Sequence, residues 1–291
     1  MFTDDSGFFE SALFQSLGRS VTVRSSRFVS GGCINNTLKL ETDEGPFFLK
    51  WNNDSDNDMF EKEAMGLKLL RDQKVLNLPE VLGTGSADGK NYLLLSYIQK
   101  SPPSGNFWKS FGQSLAALHR VSAPKYGLSH NNYIGRLPQN NEEMQNWIDF
   151  FIEKRLEVQL GLAIYNGFVD QEFAKRFRMI YAQLPGLIPS ESAALLHGDL
   201  WSGNFMSGTQ GLPFVYDPAV YFGHREIELA FTRLFGGFER LFYESYHESF
   251  PLEPGFEERL DIYNLYPLLV HVNLFGTSYL SGINQTLRRF L

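Results

Sequence analysis

Three polar side chains in the second half of the chain have types and a spacing that can do chemistry together. Asp199 and Asn204 stand five positions apart, and Asp217 follows a short apolar run at 214–216. A carboxylate can accept a proton from a hydroxyl, whereas carboxylate and amide oxygens are ligands that Mg²⁺ prefers. Phosphoryl transfer needs these parts, because it depends on positioning and on neutralising charge.

The spacing agrees with a catalytic-loop pattern, His-x-Asp-Leu-x-x-x-Asn, followed later by a metal-binding Asp. On this interpretation Asp199 orients an acceptor hydroxyl and takes its proton, and Asn204 and Asp217 hold Mg²⁺ across the phosphates of ATP. A lone match of this kind is more often a turn, since Asp and Asn beside small residues are common turn formers. The interpretation therefore depends on whether the first half of the chain supplies the remaining parts.

Two charged residues in the first half are candidates for those parts. Lys50 lies near the end of a strand predicted at 45–51, and Glu63 falls within the apolar stripe of a helix predicted at 59–70. A buried carboxylate is costly unless it is paired, so Glu63 is the expected partner of Lys50, and Lys50 is expected to reach the α and β phosphates. Taken singly, either residue also fits an ordinary amphipathic surface.

Nucleotide contacts are expected from two further segments. Gly31 and Gly32 lie between predicted strands, where a hairpin could present backbone N–H groups to phosphates, although a double glycine is usually just a turn. Leu95, Ser96 and Tyr97 belong to an apolar strand at 92–98, whose backbone could hydrogen-bond adenine; an ordinary core strand would look the same.

The composition changes after that strand, which predicts two domains. Residues 1–97 combine short strands with one helix, whereas 98–291 contain aromatic helices, predicted to begin near Phe107 and to include 144–160 and 171–184. Turns are predicted at 78–80 and 83–85, and 135–141 is the most loop-like stretch of the second part. The predicted fold class is α+β, with a small β-rich N-lobe and a larger, mainly helical C-lobe.

The overall composition narrows the class of protein. The 291 residues are 43% apolar and carry a formal net charge of −7, which is typical of a globular chain and argues against a nucleic-acid partner. The sequence has one cysteine, an acidic start and no apolar run of about 18 residues. We therefore expect a cytoplasmic protein with no membrane segment and no internal disulfide.

Taken together and in this order, the motifs resemble the fructosamine kinases, or ketosamine-3-kinases, whose protein-kinase-like fold is shared with aminoglycoside and choline kinases. The resemblance rests chiefly on HGDLWSGN at 197–204 and DPAVYFGHREIELA at 217–230. Supporting matches, which extend it over nearly the whole chain, are GGCIN at 31–35, NYIG at 132–135 with PQ at 138–139, and HVNLFG at 271–276.

The resemblance implies an enzyme that uses ATP and Mg²⁺ to phosphorylate the 3-hydroxyl of a ketosamine, free or protein-bound. Because the product tends to lose its sugar, the resemblance also implies repair of glycated amines. It makes Asp199 the base and Leu95 to Tyr97 the adenine hinge. Trp201 is then expected to stack on the sugar or its linker, or else to pack in the core. Asn132 and Gln139 are candidate substrate contacts that could equally cap turns.

The chain departs from the family pattern at two positions and leaves several alternatives open. Ser96 stands where an acidic hinge residue is frequent, and Asp217 is followed by Pro-Ala in place of Phe-Gly, which argues against an activation-loop switch. Cys33 in the phosphate-covering loop suggests redox inhibition through a bond to a second chain or a small thiol, although a lone cysteine is more often buried and inert. A monomer or a redox-linked dimer is therefore expected. A phosphotransferase of the aminoglycoside or choline type, or a nucleotide-binding pseudoenzyme, remains an alternative. The sequence does not select between ribulosamine and fructosamine.

Overall fold

The structure, a computed structural model, describes residues 6–29, 35–53 and 58–291. The chain divides into two compact units, one formed by Met1–Phe107 with Phe205–Pro218 and the other by Trp108–Asn204 with Ala219–Leu291. The strands are β1 Val23–Phe28, β2 Asn36–Thr42, β3 Gly45–Asn52, β4 Val81–Ala87, β5 Lys90–Ser96, β6 Ser122–Ala123, β7 Asn132–Ile134, β8 Leu137–Gln139, β9 Ala193–Leu196, β10 Phe205–Ser207, β11 Pro213–Val215 and β12 Tyr221–Gly223. The α-helices are α1 Ser6–Leu17, α2 Met59–Asp72, α3 Phe107–His119, α4 Trp147–Phe150, α5 Glu157–Tyr165, α6 Gln171–Arg178, α7 Leu184–Leu187, α8 Arg225–Leu234, α9 Arg240–Ser249, α10 Phe256–Tyr263, α11 Leu265–Phe275 and α12 Leu280–Phe290.

The first unit is built on a five-stranded antiparallel sheet with the order β1-β2-β3-β5-β4. Helix α1 packs Phe8 and Leu13 into a cluster with Leu49 and Leu94. Helix α2 packs Phe60 and other apolar residues against Leu93 and Leu95 in a second cluster. Because side chains alternate along a strand, these two clusters occupy opposite faces of the sheet.

That alternation determines where Lys50 points. In β3, Phe47, Leu49 and Trp51 belong to the α1 cluster, and Phe48 belongs to the α2 cluster. Lys50 is two residues beyond Phe48, so it lies on the same face as α2. The strand predicted at 45–51 and the helix predicted at 59–70 are therefore both present, within one or two residues of their predicted bounds.

The turn predicted at 83–85 is wrong, because Gly83 and Gly85 lie inside β4. A Cβ atom at Gly83 would lie only 2.6 Å from Ser16 Cβ in α1, and one at Gly85 would lie 2.9 Å from the Tyr92 hydroxyl. The two glycines therefore allow a close approach of the sheet to α1, and they do not mark a bend. Helix α1 itself was not predicted.

The first unit extends to Phe107, beyond the boundary predicted after residue 97, and it includes the later segment Phe205–Pro218. Backbone hydrogen bonds explain why Phe205–Pro218 belongs to the first unit. Val215 N donates to Asn77 O at 3.0 Å, and Ser104 N donates to Gly211 O at 3.0 Å. The β10–β11 hairpin, which ends two residues before Asp217, thus belongs to the unit that holds Lys50.

The second unit is mainly helical and also contains a small sheet of order β12-β9-β6. The helix predicted at 144–160 is present as α4 and α5 with a π-helical segment, Phe151–Leu156, between them. The loop predicted at 135–141 is only partly correct, since β7 and β8 form a tight hairpin in which Gly135 has a φ of 58°. No helix in the described part of the chain is both long and apolar enough to cross a membrane.

Candidate active site

In the first unit Lys50 lies between two carboxylates from different segments. Its Nζ is 2.6 Å from Glu63 Oε1 of α2 and also forms an ion pair with Asp217 Oδ1. The lysine is only 4% exposed. Burial lowers the pKa of Lys50, but the charges of Asp217 and Glu63 outweigh that effect and raise its pKa overall. Lys50 is therefore positively charged at neutral pH.

The cluster of Lys50, Glu63 and Asp217 carries more negative than positive charge. Burial, together with the nearby charge of Asp217, raises the pKa of Glu63, because the one lysine cannot fully compensate two carboxylates. A second cation beside Asp217 would relieve this repulsion. The protein ligands of such a cation would be carboxylate oxygen atoms, and Mg²⁺ prefers oxygen ligands. The residues present therefore fit Mg²⁺.

Asp217 is held in an uncommon backbone conformation. Its φ is 56°, in the left-handed region that residues other than glycine rarely adopt. Such a conformation costs about 1–3 kcal/mol and is concentrated at functional sites. From this backbone conformation the Asp217 carboxylate forms its ion pair with Lys50.

In the second unit Asp199 and Asn204 are joined by side-chain hydrogen bonds. Asn204 Nδ2 donates to Asp199 Oδ2 and to the Asp199 carbonyl, both at 2.8 Å. The amide nitrogen is therefore committed to Asp199, and the amide oxygen is the Asn204 atom that can serve as a metal ligand. The five-residue spacing thus produces a fixed carboxylate with an oxygen donor beside it.

The segment from His197 to Asp199 follows β9, and its path requires a glycine. Gly198 has a φ of 84°, and a Cβ atom there would collide with the carbonyl oxygen of Ala219. His197 is fully buried, and its Nδ1 accepts a hydrogen bond from Asp199 N at 3.3 Å. The backbone on the N-terminal side of Asp199 is therefore tightly constrained.

Glu228 of α8 anchors the same loop, and sequence reasoning missed it. Its Oε1 accepts from Gly198 N at 2.6 Å, and its Oε2 accepts from His197 N at 3.1 Å and lies 2.9 Å from His119 Nε2. Burial acts to raise the pKa of Glu228, but these partners lower it overall. The available signal was a carboxylate at 228 between the apolar residues Ile227 and Leu229.

A pocket opens beside Asp199 within the second unit. It encloses about 400 Å³, part of which is continuous with solvent. The wall is formed by Asp199 and Gly198 of the loop, by residues of α8 and α11, and by Ile134 and Tyr221. A small acceptor molecule entering this pocket would bring its hydroxyl groups to the Asp199 carboxylate.

Trp201 is half-buried beside this loop. Its ring meets Phe235 edge-on with 6.1 Å between centroids, and it covers Gly203, where a Cβ atom would lie 2.8 Å from Trp201 Cε2. One part of the indole therefore packs against the protein, and the ring remains partly exposed. Stacking of Trp201 on a sugar stays a prediction.

Asn132 and Gln139 are buried, with 5% and 2% of their surface exposed. Asn132 Nδ2 donates to Val220 O at 2.8 Å, and Gln139 Nε2 donates to Asn132 Oδ1 and to Ala219 O. The Gln139 oxygen accepts from the Tyr266 hydroxyl at 2.7 Å. These contacts favour a positioning role for the two amides over the substrate contact expected from sequence.

The proposed nucleotide segments are described in part. Ser96 N donates to Glu80 O at 2.9 Å, so this N–H is used within the sheet, while Leu95 is buried and Tyr97 is half-buried. Gly31, Gly32 and Cys33 lie outside the described residues.

The chain is similar to known proteins over nearly its whole length. Residues 9–291 match the family model described as fructosamine kinase. A protein from Synechocystis sp., named probable ketoamine kinase, is 38% identical over 95% of this chain and 94% of its own. A rice protein, named protein-ribulosamine 3-kinase, chloroplastic, is 36% identical over 94% of this chain and 81% of its own.

Solved structures give the same result for the fold. A crystal structure from Haemophilus somnus 129PT, provisionally assigned as a fructosamine-3-kinase, superposes with a TM-score of 0.87 at 30% identity, covering 97% of this chain and 96% of its own. Spectinomycin phosphotransferase APH(9)-Ia has a TM-score of 0.58 at 13% identity over 98% of this chain and 93% of its own, which supports the fold alone. The prediction of an α+β, protein-kinase-like fold is confirmed.

Proposed function

Because the chain belongs to the fructosamine kinase family and is a phosphotransferase acting on ketosamines, we propose that it transfers the γ-phosphoryl group of ATP to the 3-hydroxyl of a sugar joined to an amine. The name of the rice relative supports the 3-position. A phosphate on C3 leaves more readily than a hydroxyl, and its loss from the enaminol form gives an imine that water hydrolyses. The reaction therefore releases the amine from its sugar.

The observation that carries the proposal is the buried Lys50 held between Glu63 and Asp217. A lysine with a raised pKa is a permanent cation, as an ATP phosphate requires, and Glu63 fixes its position. When ATP is bound, Lys50 would exchange part of its contact with Asp217 for the α and β phosphates. The Asp217 carboxylate and the Asn204 amide oxygen would hold Mg²⁺, which neutralises charge on the transferring phosphoryl group.

Asp199 acts on the acceptor. Its carboxylate, oriented by Asn204, receives a hydrogen bond from the 3-hydroxyl and accepts the proton as the oxygen attacks phosphorus. The exposed part of Trp201 would pack against the sugar or its linker. Leu95 and Tyr97 would contact adenine through their backbone groups, and Gly31 and Gly32 would cover the phosphates.

The test is transfer of phosphate to synthetic ribuloselysine and fructoselysine in the presence of ATP and Mg²⁺, followed by mass spectrometry. Wild-type protein should add one phosphate to the acceptor and then release lysine. Asp199→Asn should lower kcat by about 10²–10⁴-fold and leave ATP binding intact. The matched control is Asp72→Asn, which alters an exposed carboxylate at the end of α2 and should leave kcat unchanged.

Two outcomes would overturn the proposal. Transfer to aminoglycosides or choline without transfer to either ketosamine would assign the chain to the related phosphotransferases. Equal turnover by wild-type protein and Asp199→Asn would remove Asp199 from the reaction.

A further inference from the structure

The pocket beside Asp199 has a second polar group that the proposed reaction does not use. His271 of α11 lines it together with Ile227, Phe231, Tyr266 and Val270. Asp199 belongs to the same wall, and the remaining side chains are apolar or are hydrogen-bonded within the protein. The chemistry of Asp199 and His271 therefore decides what the pocket selects.

The other polar side chains of the wall are committed inside the protein. Glu228 accepts hydrogen bonds from two backbone N–H groups and contacts a buried histidine. The Tyr266 hydroxyl donates to a buried amide, and Tyr221 lies against a buried guanidinium. A ligand in the pocket therefore meets Asp199 and His271 as its polar contacts among the described lining residues.

The hydrogen bonding of His271 determines which of its nitrogen atoms carries the proton. Nδ1 lies 2.7 Å from the carbonyl oxygen of Pro267, one turn earlier in α11. A carbonyl oxygen only accepts, so Nδ1 must be the donor, and the neutral ring then has a lone pair at Nε2. Burial lowers the pKa of His271, which keeps the ring neutral. His271, which lines the pocket, thus retains a hydrogen-bond acceptor at Nε2.

Aromatic rings also belong to the pocket wall. Tyr221, Phe231 and Tyr266 line the pocket, and the Phe231 ring centroid lies 6.3 Å from that of His271. Aromatic faces attract ammonium groups. The wall therefore combines a carboxylate, a neutral imidazole acceptor, aromatic rings and aliphatic side chains. Together these suit a group that only donates hydrogen bonds and carries attached carbons.

We propose that His271 accepts a hydrogen bond at Nε2 from the secondary ammonium that links the sugar to its amine, with the first carbons of that amine against Ile227, Phe231 and Val270. The proposal rests on the proposed function, since it places the acceptor at Asp199. It makes His271 a specificity-determining residue that separates amine-linked ketoses from ketoses without the nitrogen. Trp201 and Asp199 would then handle the sugar, and His271 its linkage.

The test compares two acceptors that differ in one atom. One is a ribulose joined through C1 to a butylamine nitrogen, and the other is the matched ether with oxygen in its place. The ether keeps the 3-hydroxyl and the alkyl chain but has no N–H to donate. For wild-type protein we expect a KM at least tenfold higher for the ether, the size of one hydrogen bond to a charged group.

Three variants then locate the effect at Nε2. His271→Asn keeps a donor toward Pro267 but has no acceptor at the Nε2 position, and it should raise the KM for the amine at least tenfold with little change for the ether. His271→Gln places an amide oxygen near the Nε2 position and should recover part of the loss. His247→Asn, at an exposed histidine of α9, is the matched control and should change neither KM. Loss of folded protein lowers the apparent kcat for both acceptors equally, so the ratio of the two KM values reports the contact itself.

Two results would count against the inference in different ways. If wild-type protein phosphorylates the amine and His271→Asn raises both KM values equally, or neither, then His271 does not recognise the linkage and the proposed function stands. If wild-type protein phosphorylates neither acceptor, the proposed function fails and this inference fails with it.

Discussion

At the residue scale, the two ion pairs of Lys50 hold its ammonium group in a fixed position and keep it positively charged. The lysine is buried, and removing its charge would leave Glu63 and Asp217 close together without a compensating cation. A buried pair that loses one partner typically destabilises a protein by about 3–5 kcal/mol. Lys50 therefore matters both to stability and to the proposed binding of phosphate.

Replacement of Lys50 by methionine tests both effects. Lys50→Met should lower kcat/KM for ATP by about 10²-fold or more, because a charged contact to the phosphates is lost. It should also lower the urea midpoint of unfolding. The control is Lys68→Met, which removes an exposed lysine from α2 and should change neither quantity. Full activity in folded Lys50→Met would exclude Lys50 from nucleotide binding.

At the element scale, helix α8 carries two buried carboxylates with different expected roles. Glu228 accepts hydrogen bonds from the loop that precedes Asp199, whereas Glu226 forms a two-pronged ion pair with Arg259. Both are fully or almost fully buried. Two residues of the same helix can therefore be compared: Glu228, which positions the loop before Asp199, and Glu226, which stabilises the fold.

Substitution of each carboxylate by its amide separates the two roles. Glu228→Gln cannot accept at both oxygen positions, so the loop should shift and kcat should fall by up to about 10²-fold. Glu226→Gln should lower stability by a few kcal/mol while kcat per folded molecule stays at the wild-type value. The measurement is kcat at saturating substrates beside a urea unfolding curve. A wild-type kcat for Glu228→Gln would show that the loop does not depend on this anchor.

The packing of α1 on β4 gives a second prediction at this scale. Gly83→Ala places a methyl group against Ser16 and should lower the free energy of unfolding by about 1–3 kcal/mol. Gly161→Ala in helix α5 is the matched control, since apart from the adjacent residues and the helix's own backbone its Cβ would have no heavy atom within 4 Å. It should raise stability by up to about 1 kcal/mol. Equal effects of the two substitutions in urea denaturation would contradict the close approach of α1.

At the scale of the whole molecule, buried titratable groups predict sensitivity to acid. Burial lowers the pKa values of His224 and His271 below 6.5. The unfolded chain therefore binds more protons than the folded chain once the pH falls below about 6.5, and stability decreases. Burial acts to raise the pKa values of Glu191 and Glu228, but their cationic and backbone partners lower them below 4.5. Their contribution is lost at still lower pH.

The expected stability curve thus falls in two stages on acidification. The free energy of unfolding, measured in urea from pH 8 to pH 4, should decrease first below about 6.5 and more steeply below about 4.5. Glu63 opposes this trend, because its raised pKa gives a contribution that is lost as the pH rises. A maximum of stability near pH 5 would mean that Glu63 outweighs the histidines.

Much of the site could be predicted from the residue types and from the spacing of apolar residues along each strand and helix. The pairing of Lys50 with Glu63 followed from a carboxylate on an apolar helix face and a lysine on the matching strand face. Helix α1 was missed because its residues are apolar around much of its circumference, which obscures a one-sided stripe. The glycines of β4 predict a turn because a sequence does not reveal a neighbouring helix.

Residue types and spacing are enough to indicate which carboxylates, amides and cations the chain offers and on which strand or helix faces most of them lie. Backbone periods of two and 3.6 residues are local properties, so they can be recognised without knowledge of the fold. Three other features become visible only in the folded chain: Glu228 holds the loop before Asp199, Asn132 and Gln139 bond to the backbone at 219–220, and His271 lines a pocket beside Asp199. Those contacts join residues far apart in the chain, and their free energy depends on burial, which no local pattern specifies.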